Sequence, residues 1–260
     1  MILIVLEGAI REPNLFNTLT SLYFQHPSGN DEVFVQYIYG TTFHTLYKNM
    51  KDSDMELLEH LREKAKNNKN KDLKHNYETF LQYNEADFSE IYLFFDYDFH
   101  NKNKSQMDKW NNELQHMLES FGNESDGKLY INYPMVESIR YTKRLPDANY
   151  RNYIATKSDC LNFKRIAADF SEYKGLNFIQ TNASKKATEI MQVKQNWEYL
   201  KEQNVKKANF ICQNEYSMPE RKVNVNQQLI FKNQLDKFVN PYECCSILNS
   251  FPIFLYEYFK

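Results

Sequence analysis

Glycine is scarce in this chain, 6 in 260 residues, and none of it forms a G-x-x-x-x-G-K-S/T phosphate loop. No G-x-S-x-G elbow or nucleophilic Cys and His pairing is present either, so an autonomous NTPase and a serine hydrolase are both disfavoured. The four cysteines, at 160, 212, 244 and 245, include no C-x-x-C pair and no histidine spacing suited to zinc. They read as reduced thiols of a cytosolic protein. Long apolar runs are absent as well. Residues 1–6 lack a basic leader and stop at Glu7, and the apolar stretch at 251–259 is too short to span a bilayer. The expectation is a cytoplasmic protein with no membrane contact. A formal net charge of −2 gives no overall pull on a polyanion, so nucleic-acid binding would rest on local basic patches or on metal ions.

What is present describes a folded chain: 42% hydrophobic, 25% charged and 15% aromatic residues. The abundance of Asn, Lys, Tyr, Phe and Ile follows from AT-rich coding and is not taken as a nucleic-acid surface. The length suits one elaborated α/β domain, or a core with a smaller appended domain.

Apolar residues 2–6 predict a strand buried on both faces, with Gly8 permitting a sharp exit. Pro13 suits the first turn of a helix, along which Leu15, Phe16, Leu19, Leu22 and Tyr23 recur with helical spacing. A second strand fits 33–39, closed by Gly40, and a helix follows through Phe43, Leu46, Tyr47 and Met50. Residues 52–85 turn polar and helical, with Lys64, Lys66, Lys69, Lys71 and Lys74 among asparagines, and suggest an inserted arm. Residues 91–95 are a third strand leading into Asp96; an amphipathic helix through Met107, Trp110, Leu114, Met117, Leu118 and Phe121 follows, then a strand at 129–132. Strands alternating with helices predict an α/β fold with a mainly parallel sheet covered on both faces. Beyond Tyr141 the pattern predicts helices near 160–173, 183–200 and 251–259, the last either core or a partner surface, with core favoured. The resulting division is a core over 1–142, a helical insertion at about 52–87, and a mostly helical C-terminal region over 143–260 packed on the core.

Functional groups in open α/β sheets gather beyond the carboxyl ends of the strands, where this chain carries Glu7, Asp96 and Asp98. A locally extended backbone would aim Asp96 and Asp98 the same way, with Glu7 joining them from a neighbouring strand. Clustered carboxylates resist joint ionisation, and Mg²⁺, which favours hard oxygen ligands, offsets their charge.

The segments ILIVLEG at 2–8 and FFDYD at 94–98 resemble the TOPRIM pattern shared by topoisomerases, primases and OLD-type nucleases. More narrowly, LEGAIREPNLF at 6–16 and FDYDFH at 95–100 are similar to the RloB-like branch found among bacterial anti-phage systems of the Abi and PARIS kinds. The resemblance covers mainly the first 140 residues. It implies a TOPRIM-like sheet, with Glu7, Asp96 and Asp98 as metal ligands and catalytic acids. It also maps Glu12 and His100 onto further site positions, and Glu137, in YPMVES, onto a fourth catalytic acid that opens a helix. Arg140, Lys143 and Arg144 follow closely and are candidate phosphate contacts. Arg11 departs from the branch, where that place is often polar and uncharged.

The implied activity is Mg²⁺-dependent (or Mn²⁺-dependent) endonuclease hydrolysis of phosphodiester bonds, without a covalent intermediate. The implied setting is a toxic effector of abortive infection acting on RNA such as tRNA, partnered by an ATPase sensor and with a homodimer as an option. DNA nicking of the OLD type is the alternative substrate reading. A non-catalytic regulatory or binding subunit of an ATPase-containing defence complex is the alternative role.

Overall fold

Five consecutive apolar residues form β1 (Ile2–Leu6), and all five are buried, as a strand covered on both faces requires. The computed structural model describes residues 1–24, 33–100, 102–121, 128–171 and 187–259. After β1 the chain enters α1 (Arg11–Tyr23), with Pro13 in its first turn and Leu15, Phe16 and Leu19 buried. β2 (Phe34–Ile38) is two residues shorter than the apolar run suggests. Gly40 closes it at φ +78°, a backbone conformation that L side chains rarely adopt. Then come α2 (Phe43–Ser53), α3 (Leu57–Lys66), α4 (Lys74–Leu81), β3 (Glu90–Asp96), α5 (Lys104–Ser120) and β4 (Lys128–Asn132). The four strands form one parallel sheet in the order β2-β1-β3-β4.

The lysine-rich segment expected as an arm lies against the sheet, with Leu57, Leu61, Tyr77 and Phe80 buried. It also covers the outer edge of β2. Asn76 Oδ1 accepts from Ile38 N–H at 2.9 Å, Asn76 Nδ2 donates to the Gln36 carbonyl at 2.8 Å, and the Tyr77 hydroxyl donates to the Ile38 carbonyl at 2.9 Å. Side chains thus pair backbone groups that would otherwise invite another strand.

The remaining elements are β5 (Ile154–Thr156), α6 (Lys157–Cys160), α7 (Phe163–Phe170), α8 (Ala187–Gln213), α9 (Gln227–Gln234), α10 (Asn240–Tyr242), β6 (Cys244–Ser246) and α11 (Ser250–Tyr258). The helix expected at 160–173 is divided between α6 and α7, and the one expected at 183–200 runs on to Gln213. Positions 172–173 and 183–186 of those expectations lie outside the described residues. The antiparallel ribbon of β5 and β6 was not expected, because three-residue strands are too short to show alternation.

Chain end and sheet are joined in the core. Phe251 of α11 stacks on Phe94 of β3 with centroids 4.5 Å apart, and Phe254 packs against Phe94, Tyr92 and Phe16 at 5.4, 5.1 and 6.2 Å. Ile253, Phe254 and Leu255 are buried, so the apolar area of α11 is spent inside the protein. Each such side chain contributes roughly 1.5–3 kcal/mol of burial. Leu248 pairs with Tyr133 just beyond β4, in both directions, at 2.8 and 3.0 Å. No described helix is long and apolar enough to cross a membrane.

Candidate active site

β1 and β3 are neighbours, and their acids emerge side by side at the carboxyl edge. The Glu7 N–H donates to the Phe94 carbonyl at 3.1 Å, and Glu7 Oε2 accepts from the Asp96 N–H at 2.9 Å. Asp96 ends β3 opposite Asn132 of β4, whose Nδ2 donates to Asp96 Oδ1 at 3.0 Å. Asn132 is fully buried, and its Oδ1 accepts from the N–H and hydroxyl of Ser250 at 3.0 and 2.8 Å. The C-terminal helix therefore sets the residue that orients the D-x-D motif.

Asp98 does not continue the strand. Its φ of +43° turns the chain, correcting the extended geometry expected there. The turn is held by the Asp98 N–H donating to the Pro134 carbonyl at 3.0 Å and Lys102 Nζ donating to the Asp98 carbonyl at 2.7 Å. Asp98 Oδ1 lies 2.5 Å from His100 Nδ1.

Glu12 and Glu137 enclose the other side. Glu12 is buried in the first turn of α1 and folds back so that its Oε1 accepts from the Gly8 N–H at 3.1 Å. A Cβ at position 8 would stand 2.5 Å from Glu12 Oε2, so any larger residue there displaces the Glu12 carboxylate. Glu137 sits in a 3-10 turn (Val136–Arg140), where an α-helix start was expected. Its Oε1 is 3.2 Å from Arg11 Nε and 3.9 Å from Lys164 Nζ, while its Oε2 is buried with no hydrogen-bond partner.

Glu7, Asp96, Asp98 and His100 line a cleft of about 450 Å³ that Asn162, Lys164 and Arg165 also line, from the α6–α7 segment. Sequence reasoning missed the last three. The only local signal was a Lys-Arg pair within FKRIAADF, which matches any amphipathic surface helix. Arg140 stands beside Arg11 and Glu137 and is partly buried, and none of Arg140, Lys143, Arg144, Glu12 and Glu137 lines the cleft itself. Lys143 instead lies over the Phe170 ring, 4.9 Å from its centroid.

The electrostatics follow from this enclosure. Burial, opposed by the Asp96 N–H and reinforced by Glu12 and Asp98, pushes the Glu7 carboxyl up to about 8. Burial, followed by the charges of Glu7 and Glu12, holds Asp96 well above the usual carboxylate range despite the amide of Asn132. Glu12 is raised by burial and by Glu137. Near neutral pH the cluster retains protons, and full ionisation needs added positive charge.

No protein-family model matches the chain, and neither a curated protein nor a solved structure is significantly similar to it.

As a donor set these acids fit a hard divalent cation: oxygen ligands only, raised affinity for protons, and one buried oxygen of Glu137 left unpartnered. They do not form a finished cage. Among the described residues no three His, Cys, Asp or Glu side chains are arranged to hold one ion. Glu7 is turned to the Asp96 N–H and Asp98 toward His100, so ion binding requires these two side chains to rotate.

Proposed function

We propose that the chain is a metal-dependent endonuclease of TOPRIM-like build, hydrolysing phosphodiester bonds in RNA such as tRNA as the effector of an anti-phage, abortive-infection system. The observation that carries the reading is the convergence of Glu7, Asp96 and Asp98 on one cleft at the carboxyl edge of a parallel sheet. Glu7, Asp96 and Asp98 are the residues that would hold Mg²⁺ or Mn²⁺. A bound ion supplies polarisation of the scissile phosphate and a lowered pKa for the attacking water. Glu137 is the fourth acid. Lys164 and Arg165 face the same cleft and neutralise phosphate oxygens, a task first expected of Arg140, Lys143 and Arg144. Arg11 holds Glu137 in place. His100 restrains Asp98, and Glu12 fixes the Gly8 turn.

The test is incubation of the protein with total tRNA, single-stranded RNA and duplex plasmid DNA, in Mg²⁺, Mn²⁺ or EDTA, beside Glu7→Ala. Metal-dependent RNA cleavage lost in the variant is the expected result. Cleavage of plasmid alone transfers the assignment to a DNA nickase of the OLD type. The need for Glu7 and Asp98 to rotate before an ion is held favours one further reading, a non-catalytic subunit of an ATPase-containing complex. That reading is adopted if no divalent ion binds at millimolar concentration.

A further inference from the structure

A larger cavity, of about 690 Å³, opens at the amino edge of the sheet, between the turn from α2 to α3, the start of β3 and the end of α5. β3 runs from this edge to the acids, a distance of roughly 20 Å for a strand of its length. The floor is apolar: Met50, Met55 and Leu58 line it together with Phe88, Ile91 and Met117. Met50, Met55, Leu58 and Phe88 are only half-buried, so they keep apolar surface open to a ligand. The rim is acidic. Glu56, Glu85 and Glu90 line it and are exposed, and among the described residues the single lining cation is Lys51, which lies over the Tyr47 ring at 5.9 Å. Glu85 is shared with Arg62 at 3.7 Å, whereas Glu56 makes no ion pair among the described residues. Charge of the same sign extends past the rim: residues 52–59 hold four acids and residues 85–90 three, and neither stretch holds a lysine or arginine.

Methionine is unbranched and polarisable, and a surface carrying several methionines moulds itself to apolar side chains of different shape. An amphipathic helix brings apolar anchors at i, i+3, i+4 and i+7 along one side, flanked by charged positions, and lies in a groove of this kind. The acids decide what its charge must be. They attract lysine and arginine and repel a polyanion, so nucleic acid and anionic lipid surfaces are turned away from this edge. We propose that the groove is the docking site for a basic amphipathic helix of a partner protein, with apolar anchors on Met50, Met55 and Leu58 and with lysines or arginines against Glu56 and Glu90. Docking there leaves the acid cleft uncovered at the other end of β3. The assignment does not depend on the nuclease reading.

The probe is a synthetic leucine and lysine peptide of about 14 residues, four turns of helix with its leucines on one face. It is titrated into the full chain, carrying ¹³C-labelled methionine methyls, at about 0.15 M salt. Two control peptides accompany it, one with glutamate for lysine and one with the same composition but leucines scattered over all faces. Saturable micromolar binding of the first peptide alone is expected, with the methyl signals of Met50 and Met55 shifting while those of Met191 and Met218, exposed outside the groove, stay in place. Glu56→Lys should weaken binding at least about tenfold; Glu56 is exposed and its side chain caps no helix N–H, so the change spares folding. Glu220→Lys, equally exposed but outside the groove, makes the same change in net charge and should leave the affinity within about twofold. Equal losses in the two variants would reduce the effect to net charge and overturn the proposal. So would no saturable binding at millimolar concentration, equal binding of the scattered peptide, or shifts at Met191 and Met218 in place of Met50 and Met55. Movement of the groove methyls with protein concentration alone would overturn it too, by giving the groove to a second copy of the chain.

Discussion

Replacing Glu7 by Gln should stabilise this protein, and increasingly so as the pH rises. In the unfolded chain Glu7 ionises near its ordinary 4.5, whereas in the fold it keeps its proton up to about 8. Below pH 4.5 both states are protonated and the group is neutral to stability. Between the two values the unfolded chain gains an ionisation that the fold resists, so stability falls with pH, and the loss is complete above about pH 8. A displacement of that size corresponds to about 5 kcal/mol as a ceiling. Rotation of Glu7 toward the cleft and proton sharing with Asp96 reduce it, and a gain of roughly 1–3 kcal/mol at pH 8.5 is the working figure. Glutamine keeps an oxygen for the Asp96 N–H, so that bond survives the change. Thermal unfolding at pH 4.5, 7 and 8.5 should then show the variant's Tm close to wild type at the lowest pH and higher by about 2–10 °C at the highest. Saturating Mg²⁺ should narrow the gap at pH 8.5 by favouring the ionised wild-type cluster. A variant less stable than wild type at pH 8.5, or a difference independent of pH, would refute the buried-cluster argument.

Four further outcomes are expected. Gly8→Ala drives the Glu12 carboxylate off the Gly8 N–H and should cost about 1 kcal/mol by denaturant unfolding; in a Glu12→Ala background the same change should cost almost nothing, and equal costs would dismiss the contact. Asn132→Ala leaves Asp96 Oδ1 and the N–H and hydroxyl of Ser250 without the partner they have now and should cost about 2–4 kcal/mol, with Asn132→Asp no rescue because it adds an acid to the cluster. Asn76→Ala uncovers the edge of β2 and should raise concentration-dependent aggregation on light scattering; unchanged scattering would show that α4 protects the edge without it. Lys164→Ala should abolish cleavage while divalent-ion binding by calorimetry persists; retained cleavage would remove Lys164 from the phosphate-contacting role.

The placement of the candidate site's first acids in the fold was legible before folding was considered. The buried runs at 2–6 and 91–95 mark strands by composition alone, and Glu7 and Asp96 are where each run meets its first acid. The approach of Glu12 to Gly8 needed the structure, since the two lie on opposite sides of a helix start. Asp98 was placed at the right edge with the wrong backbone, because a left-handed residue leaves no trace in a D-x-D pattern.

Local order along the chain determined which segments became strands and helices, since the side-chain periods of 2 and 3.6 residues are properties of a few successive positions. That order also set the strand-end location of the acids. Tertiary structure alone decided that β1 and β3 are neighbours with β2 outside them, and that α7 brings Lys164 and Arg165 to the acids. It decided too that α11, at the end of the chain, packs on β3 and anchors Asn132 through Ser250. Those outcomes depend on which distant apolar faces and buried polar groups complement one another, and that complementarity exists only between segments, not within any one of them.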